Sequence, residues 1–228
     1  MNGREDSDIV ATNVIKSRIK DGHVSLMDSA GKTYRIEGAN IVTVDSIMAE
    51  MHLRSEAGDM SGIGDYVKRY ENYPDVGDVY YEFSSLLSDK CAFDMAMAGF
   101  MGMFDREVFD AVVCTESYGG MFGAAVARAL KKPVVTVRYK GGFPGDTICG
   151  DAGDKVLEMP ADKIRSGMKV VIICDVLATG KSTAAMIRMV ERMGGTVIRV
   201  GYIAELTSFG ARKSKILKGY PFEALLEY

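Results

Sequence analysis

Histidine is scarce in this sequence. His23 and His52 are the only two histidines, and both lie in the first quarter of the 228 residues. The loops with chemically useful side chains come much later in the chain. We therefore do not expect a Ser–His or Cys–His nucleophile in the main part of the chain. We do not expect histidine-ligated zinc either.

Cysteine is sparse too, and its four positions are not spaced like metal ligands. Cys114 and Cys174 lie in short apolar runs that are typical of strands. This placement predicts reduced thiols in the core rather than disulfides.

Long apolar runs and a large excess of one charge are also absent. No run approaches membrane-spanning length, and no basic segment followed by an apolar one begins the sequence, so we expect a cytoplasmic protein. The formal net charge is −3, which provides no general attraction for nucleic acid. Any site for a polyanion must therefore be local.

Residues 1–60 differ in pattern from the rest of the chain and are predicted to form a small β-rich extension. The segments "HVSLMD", "SAGK" and "TYRIEG" predict a hairpin, and "NIVTV" a further strand. The segment "DSIMAEMHLRSEAG" predicts a short helix with Asp45 as its N-cap. We expect this extension to serve dimerisation or stability.

Residues 61–228 alternate strand-like and helix-like segments after a first helix predicted at "DYVKRYEN". The strands are "DAVVCT", "KPVVTVRY", "DKVLEM", "VVIICDV" and, as the last core strand, "GTVIRVGYIAEL"; a long glycine-rich loop follows "TVRY". Alternation of this kind predicts an α/β fold with a doubly wound, mostly parallel sheet.

The stretch from Val170 to Thr183 combines a buried strand, a small-residue turn and the start of a helix. Free N–H groups at a helix N-terminus and the nearby hydroxyls favour an anion, although an ordinary strand–loop–helix joint has the same pattern. A Walker A loop is excluded, because the glycine that it needs five residues before the Gly-Lys pair is Asp175.

Three polar, glycine-containing loops follow predicted strands: residues 116–120, 140–153 and 175–182. Ligands of open α/β sheets bind outside the carboxyl ends of the strands. We therefore expect these loops to meet around one anionic ligand.

These segments together resemble the type I phosphoribosyltransferase family. The stretch "VVIICDVLATGKST" is similar to its phosphoribosyl pyrophosphate (PRPP) loop. The segments "DVYYEFSSLL", "ESYGGMFG", "VRYKGGFPGDT", "IAELTS" and "PFEALLEY" resemble, in the same order, segments of the adenine branch of that family. The resemblance covers roughly residues 62–228 and not residues 1–60.

The resemblance implies the type I phosphoribosyltransferase fold and an Mg²⁺-dependent enzyme of purine salvage. Such an enzyme transfers phosphoribosyl from PRPP to a purine base, with adenine the leading candidate, and releases pyrophosphate. It also implies a homodimer.

The resemblance further assigns roles to individual residues. Asp175 and Asp151 are the expected catalytic acids, with Asp175 also holding the ribose hydroxyls, and no protein ligand for Mg²⁺ is assigned. The other assignments are Ala178, Thr179, Gly180, Lys181, Ser182 and Thr183 around the 5′-phosphate; Ser117, Gly119, Arg138 and Lys140 facing the pyrophosphate; and Tyr80 and Tyr81 lining the base pocket.

The sequence departs from the family pattern at this site. Cys174 stands in place of the first of two acids, Tyr118 in place of an arginine, and Tyr139 and Gly142 in place of basic residues. Fewer cations around a leaving pyrophosphate raise the barrier to its departure. A second hypothesis therefore stays open: a catalytically weak or inactive module that senses PRPP or a nucleotide and signals through residues 1–60.

Overall fold

The computed structural model describes residues 11–20, 23–37, 39–45, 50–55, 60–76, 79–104 and 106–228. The chain divides into two compact units, residues 1–59 and residues 60–228.

The first unit is built from antiparallel strands. β1 (Val14–Lys20), β2 (His23–Asp28) and β3 (Thr33–Glu37) form a sheet in that order. The predicted β2–β3 hairpin is confirmed. Its loop is held by the Asp28 carboxylate, which accepts hydrogen bonds from the N–H groups of Ala30 and Lys32 at 3.0 and 2.9 Å.

The short helix predicted after Asp45 is wrong. Asp45 ends β4 (Ala39–Asp45), which pairs antiparallel with β5 (Glu50–Ser55), and the rest of the predicted helix lies outside the described residues. In β5 the apolar Met51 and Leu53 alternate with polar residues, which is the period of a strand. Pairing with β4 therefore decides the conformation of this segment.

The helix predicted at "DYVKRYEN" is also wrong. A 3₁₀ turn at Met60–Tyr66 leads into β6 (Lys68–Glu71), which pairs antiparallel with β7 (Val79–Glu82). All four residues of β6 are exposed, so they offer no apolar face that a helix could bury. The aromatic segment "VYYE" forms β7.

The remaining elements form one seven-stranded sheet with helices on both faces. Its strand order is β10-β11-β9-β8-β12-β13-β14, with β9, β8, β12, β13 and β14 parallel and β11 antiparallel to both neighbours. The predicted doubly wound, mostly parallel sheet is confirmed. The elements are α1 (Ser84–Ser88), α2 (Lys90–Phe104), β8 (Ala111–Thr115), α3 (Tyr118–Ala129), β9 (Val134–Tyr139), β10 (Thr147–Asp151), β11 (Val156–Pro160), β12 (Lys169–Leu177), α4 (Lys181–Arg192), β13 (Thr196–Glu205) and β14 (Phe222–Glu227).

The central strand β12 explains why its sequence is continuously apolar. Val171 and Ile173 pack into the core under α2 and α3, whereas Val170 and Ile172 pack into the core under α4. Successive side chains of a strand point to opposite faces, so a strand covered on both faces has no polar side.

Two segments predicted to lack strands contain them. The glycine-rich loop includes β10, and the segment that follows the strand predicted to be the last forms β14 alongside β13. No helix in the described part of the chain is long and apolar enough to cross a membrane.

Candidate active site

The turn after β12 delivers the N-terminus of α4. Gly180 caps the helix with a φ of +78°, a left-handed conformation that favours glycine. A Cβ there would also lie 3.1 Å from Ile216 Cγ2 and 3.2 Å from Leu217 Cδ1. The N–H groups of the first helical turn have no partner within the helix and face a possible anion.

The start of α3 lies against the end of β12. A Cβ on Gly119 would lie 2.9 Å from Cys174 Cα and 2.9 Å from the Asp175 nitrogen, so only glycine allows this approach. The N–H groups of Gly120 and Met121 both donate to the Ser117 carbonyl. Those of Tyr118 and Gly119 have no partner within the helix. Two helix N-termini therefore open beside Asp175.

A cavity of about 190 Å³ joins these elements. The predicted meeting of the loops after β8 and β12 is confirmed. The third predicted loop does not join them: residues 140–153 do not line this cavity, and Arg138 and Tyr139 reach it from the end of β9. The lining residues are Thr115, Glu116, Ser117, Val137, Arg138, Tyr139, Leu157, Cys174, Asp175, Val176, Ser182, Thr183 and Met186.

Arg138 is held in place by its own surroundings. Its Nη2 forms an ion pair with Glu116 Oε1 at 2.7 Å, and its Nη1 donates to the Gly142 carbonyl at 2.8 Å. The guanidinium carbon lies 4.6 Å from the centre of the Phe143 ring. An anion in the cavity must therefore share this cation with Glu116.

Glu158 organises the glycine-rich loop, and sequence reasoning missed it. Its Oε1 accepts the N–H groups of Gly142 and Phe143 at 2.7 and 3.0 Å, and its Oε2 accepts the Thr147 hydroxyl at 3.2 Å. Burial raises the pKa of Glu158, but these donors outweigh it and hold the pKa below its usual value. The available signal was an acid in the middle of the apolar run "VLEMP".

A hydrogen-bonded cluster lies beneath the turn that leads into α4. The hydroxyl of the fully buried Tyr202 donates to Thr183 Oγ1 at 2.8 Å, and Cys174 Sγ lies 3.9 Å from the same oxygen. The Thr183 hydroxyl is thus engaged in the core. Burial, and then the charge of Asp175, raise the pKa of the Cys174 thiol well above its usual value, so the thiol stays protonated.

Tyr118 connects α3 to the β6–β7 ribbon. Its hydroxyl donates to Glu82 Oε1 at 2.5 Å, and Glu82 also accepts the N–H and hydroxyl of Ser84 at 2.7 and 2.8 Å. The hydrogen bond from Tyr118 is the largest cause of a lowered Glu82 pKa. The tyrosine that replaces an arginine therefore makes a structural contact and does not line the cavity.

Tyr80 and Tyr81 line a second cavity, of about 980 Å³, between the β6–β7 ribbon and the segment after β13. The Tyr81 ring stacks on Tyr228, with ring centres 4.6 Å apart and planes inclined by 30°. Tyr80 meets Tyr73 edge to face at 5.4 Å. The second cavity therefore has flat aromatic walls.

Asp151, Lys140 and Lys181 line neither cavity. Asp151 ends β10, where its Oδ1 accepts the Gly153 N–H at 2.7 Å and its carbonyl accepts from Arg188 Nη2 at 2.7 Å. Both lysines are exposed, Lys181 as the first residue of α4.

Comparison with known proteins identifies the class to which this fold and cavity belong. Residues 95–219 match the model of the phosphoribosyl transferase domain. The chain is 39% identical over 161 residues to a protein of Caldicellulosiruptor bescii, which covers 69% of this chain and 91% of that one. It is 32% identical over 173 residues to a protein of Lachnoclostridium phytofermentans, covering 74% and 98%. The chain therefore belongs to the phosphoribosyltransferase family.

Within that family, both of these relatives are adenine phosphoribosyltransferases. The crystal structure of adenine phosphoribosyltransferase from Thermoanaerobacter pseudethanolicus superposes with a TM-score of 0.70 at 28% identity, covering 74% of this chain and 99% of that one. The resemblance that the sequence indicated, including the adenine branch, is confirmed.

Proposed function

We propose that this protein is an enzyme of purine salvage that transfers the phosphoribosyl group of PRPP to adenine and releases pyrophosphate. One observation carries the proposal: the N-termini of α3 and α4 open on the same small cavity beside Asp175. A donor with a phosphate at one end and a pyrophosphate at the other needs two such anion sites with an acceptor for ribose hydroxyls between them.

The 5′-phosphate fits the turn from Ala178 to Ser182. There the backbone N–H groups of Lys181, Ser182 and Thr183 provide donors, and the Thr179 and Ser182 hydroxyls add to them. Thr183 contributes its backbone N–H; its hydroxyl accepts from Tyr202 and keeps its own hydrogen to donate. Gly180 permits the tight approach that the turn requires.

Asp175 is the acid best placed to act on the ribose. Its Oδ1 accepts the Val176 N–H at 2.8 Å, which orients the carboxylate, and we propose that Oδ2 accepts a ribose hydroxyl. A carboxylate there also stabilises positive charge that develops on the ribosyl ring. Asp151, the second proposed acid, lies outside the cavity, and an Asp151→Asn variant tests its role separately.

The pyrophosphate fits the N-terminus of α3. The Ser117 hydroxyl, the Gly119 N–H, Arg138 and Lys140 are the proposed contacts, and Arg138 would exchange part of its pairing with Glu116 for the ligand. Tyr80 and Tyr81 are the proposed walls of the base site, because flat aromatic surfaces stack well on a purine.

The cavity also suits Mg²⁺ that arrives with the donor. Among the described residues, no group of three or more His, Cys, Asp or Glu side chains could hold a metal by itself. The cavity does contain the carboxylates of Asp175 and Glu116. Mg²⁺ is commonly held by one or two carboxylates together with substrate phosphates. When bound, it would neutralise charge on the departing pyrophosphate.

A specific observation favours a sensing module as the second candidate. The cation nearest the proposed pyrophosphate site is already paired with Glu116, and the family's arginine is replaced by Tyr118, which bonds to Glu82. Each charge-assisted hydrogen bond lost to the leaving group is worth about 1.5–3 kcal/mol. Binding without turnover is the outcome expected of such a module.

The decisive experiment incubates the protein with PRPP, Mg²⁺ and each of several nucleobases and detects nucleotides by mass spectrometry. We expect adenosine monophosphate and pyrophosphate, with loss of turnover on Mg²⁺ chelation and on Asp175→Asn. Binding of PRPP by calorimetry without any nucleotide formed would refute the enzyme and support the sensor. Light scattering tests the proposed homodimer, and fractionation of cells tests the proposed cytoplasmic location.

A further inference from the structure

Residues 211–220 form a loop with an unusual charge, here called the basic loop. It contains Arg212, Lys213, Lys215 and Lys218 and no acid, in a chain whose net charge is −3. The loop surrounds a hollow of about 450 Å³. A concave surface of one charge sign focuses the electrostatic field and raises the local concentration of counter-ions.

The lysines of the basic loop have no structural use that explains them. Arg212 is neutralised by Glu205 and Glu227, at 2.6 and 3.1 Å. Lys213, Lys215 and Lys218 are exposed, and none of them takes part in an ion pair with another described residue. Glu191 accepts the Tyr220 hydroxyl at 2.6 Å and forms no ion pair with these lysines. Like charges left unpaired and close together repel, so folding does not favour this arrangement.

The basic loop lies directly beside the turn from Ala178 to Ser182, the proposed 5′-phosphate site, here called the phosphate turn. Ile216 and Leu217 approach Gly180 so closely that a Cβ there would lie 3.1–3.2 Å from their side chains. Lys215 and Lys218 immediately flank this contact in sequence. Lys181, the first residue of α4, adds another exposed cation next to the turn.

We propose that the basic loop is an electrostatic collecting surface for the polyanionic donor. It raises the donor's rate of capture and its affinity through the field of Lys215 and Lys218, without direct contact with the reacting atoms. This inference rests on the proposed function, because a ribose carrying a 5′-phosphate and a pyrophosphate is the anion that the neighbouring turn would take. The same field acts on any anion, so the donor's multiple charges determine the size of the effect.

The test measures the binding of PRPP with Mg²⁺ by calorimetry at low and high salt. Lys215→Gln combined with Lys218→Gln is expected to raise the Kd about three- to tenfold at about 0.02 M salt. The effect should shrink to less than about twofold at about 0.5 M salt, where charges are screened within a few ångströms. Lys215→Arg combined with Lys218→Arg is expected to bind PRPP as tightly as the unaltered protein, because arginine keeps the positive charge and changes only the shape of the side chain.

The matched control removes the same charge at the amino-terminal ends of the strands, away from the turn after β12. Lys131 follows α3 and Lys169 begins β12, and both are exposed. Lys131→Gln combined with Lys169→Gln should leave the Kd unchanged. Equal Kd values for the two glutamine double variants, or no rescue by arginine, would overturn the collecting surface while the proposed function stands. No binding by the unaltered protein would overturn both.

Discussion

We expect the hydrogen bond from Tyr202 to Thr183 to stabilise the protein and to support the phosphate turn. Tyr202→Phe removes one hydroxyl and leaves the ring in its buried position. The oxygen of Thr183, a residue that is 3% exposed, then loses a partner at 2.8 Å. Leaving a buried polar atom unsatisfied costs about 1–3 kcal/mol.

The expected loss of stability is therefore about 1–2 kcal/mol, which corresponds to a fall in Tm of about 3–6 °C for a domain of this size. Donor affinity should fall as well, since Thr183 lies in the first turn of α4, whose N–H groups are the proposed 5′-phosphate donors. Calorimetric unfolding and PRPP titration measure the two effects. Tyr220→Phe is the control, because it removes a comparable tyrosine hydrogen bond, to Glu191, at the surface.

A double-mutant cycle with Thr183→Val identifies the source of the effect. If the two hydroxyls bond to each other, Tyr202→Phe should cost little in the valine background, with a coupling of about 1 kcal/mol. An equal cost in both backgrounds would show that the Tyr202 hydroxyl stabilises the protein in some other way. An unchanged Tm for Tyr202→Phe alone would refute the reasoning.

Three further predictions concern the walls of the cavity. Gly119→Ala should destabilise the protein by about 1–3 kcal/mol and reduce activity, because its Cβ meets backbone atoms of β12. Gly102→Ala, on an open helix face, is the control and should not destabilise. Equal Tm values for the two variants would count against the close approach at Gly119. Glu158→Gln should expose the Gly142 and Phe143 amides to hydrogen exchange at neutral pH. The pKa of Glu158 is lower in the folded protein than in the unfolded chain. The stability that its carboxylate contributes is therefore present above the unfolded pKa and is lost as pH falls through the folded pKa. If the unaltered protein stayed more stable than Glu158→Gln in acid, that result would contradict this prediction. Cys174→Asp should place an acid where the thiol is 4% exposed, and burial there raises the folded pKa of that acid. The stability of this variant should therefore fall as pH rises above about 4. Cys91→Asp, at an exposed position, should show no such trend, and matching pH profiles of stability would refute the prediction.

Local sequence was sufficient for the parallel sheet and for the turn after β12. The apolar run of β12 is long enough to specify a strand buried on both faces, and the small residues that follow it leave few conformations other than a tight turn into a helix. Gly180 belongs to the same signal, because the positive φ of +78° at this turn favours glycine. These features depend on residues near one another in the chain.

The segments predicted wrongly have weak local preferences. β5 and β6 are short and mostly polar, and each becomes a strand only through backbone bonds to β4 and β7. β-Structure depends on its partner more than helical structure does, so a propensity for helix was overridden. β14 was missed for the same reason, since its pairing with β13 requires a connection of sixteen residues, 206–221, to fold back first.

The sequence by itself determined the fold class, the turn between β12 and α4, and the family. Only the tertiary structure decided what the side chains at the site do: Arg138 pairs with Glu116, Tyr118 with Glu82, and Thr183 with Tyr202. The physical reason is that patterns of hydrophobicity specify which way an element faces. A hydrogen bond between residues far apart in the chain depends on distances of a few tenths of an ångström, which packing alone sets.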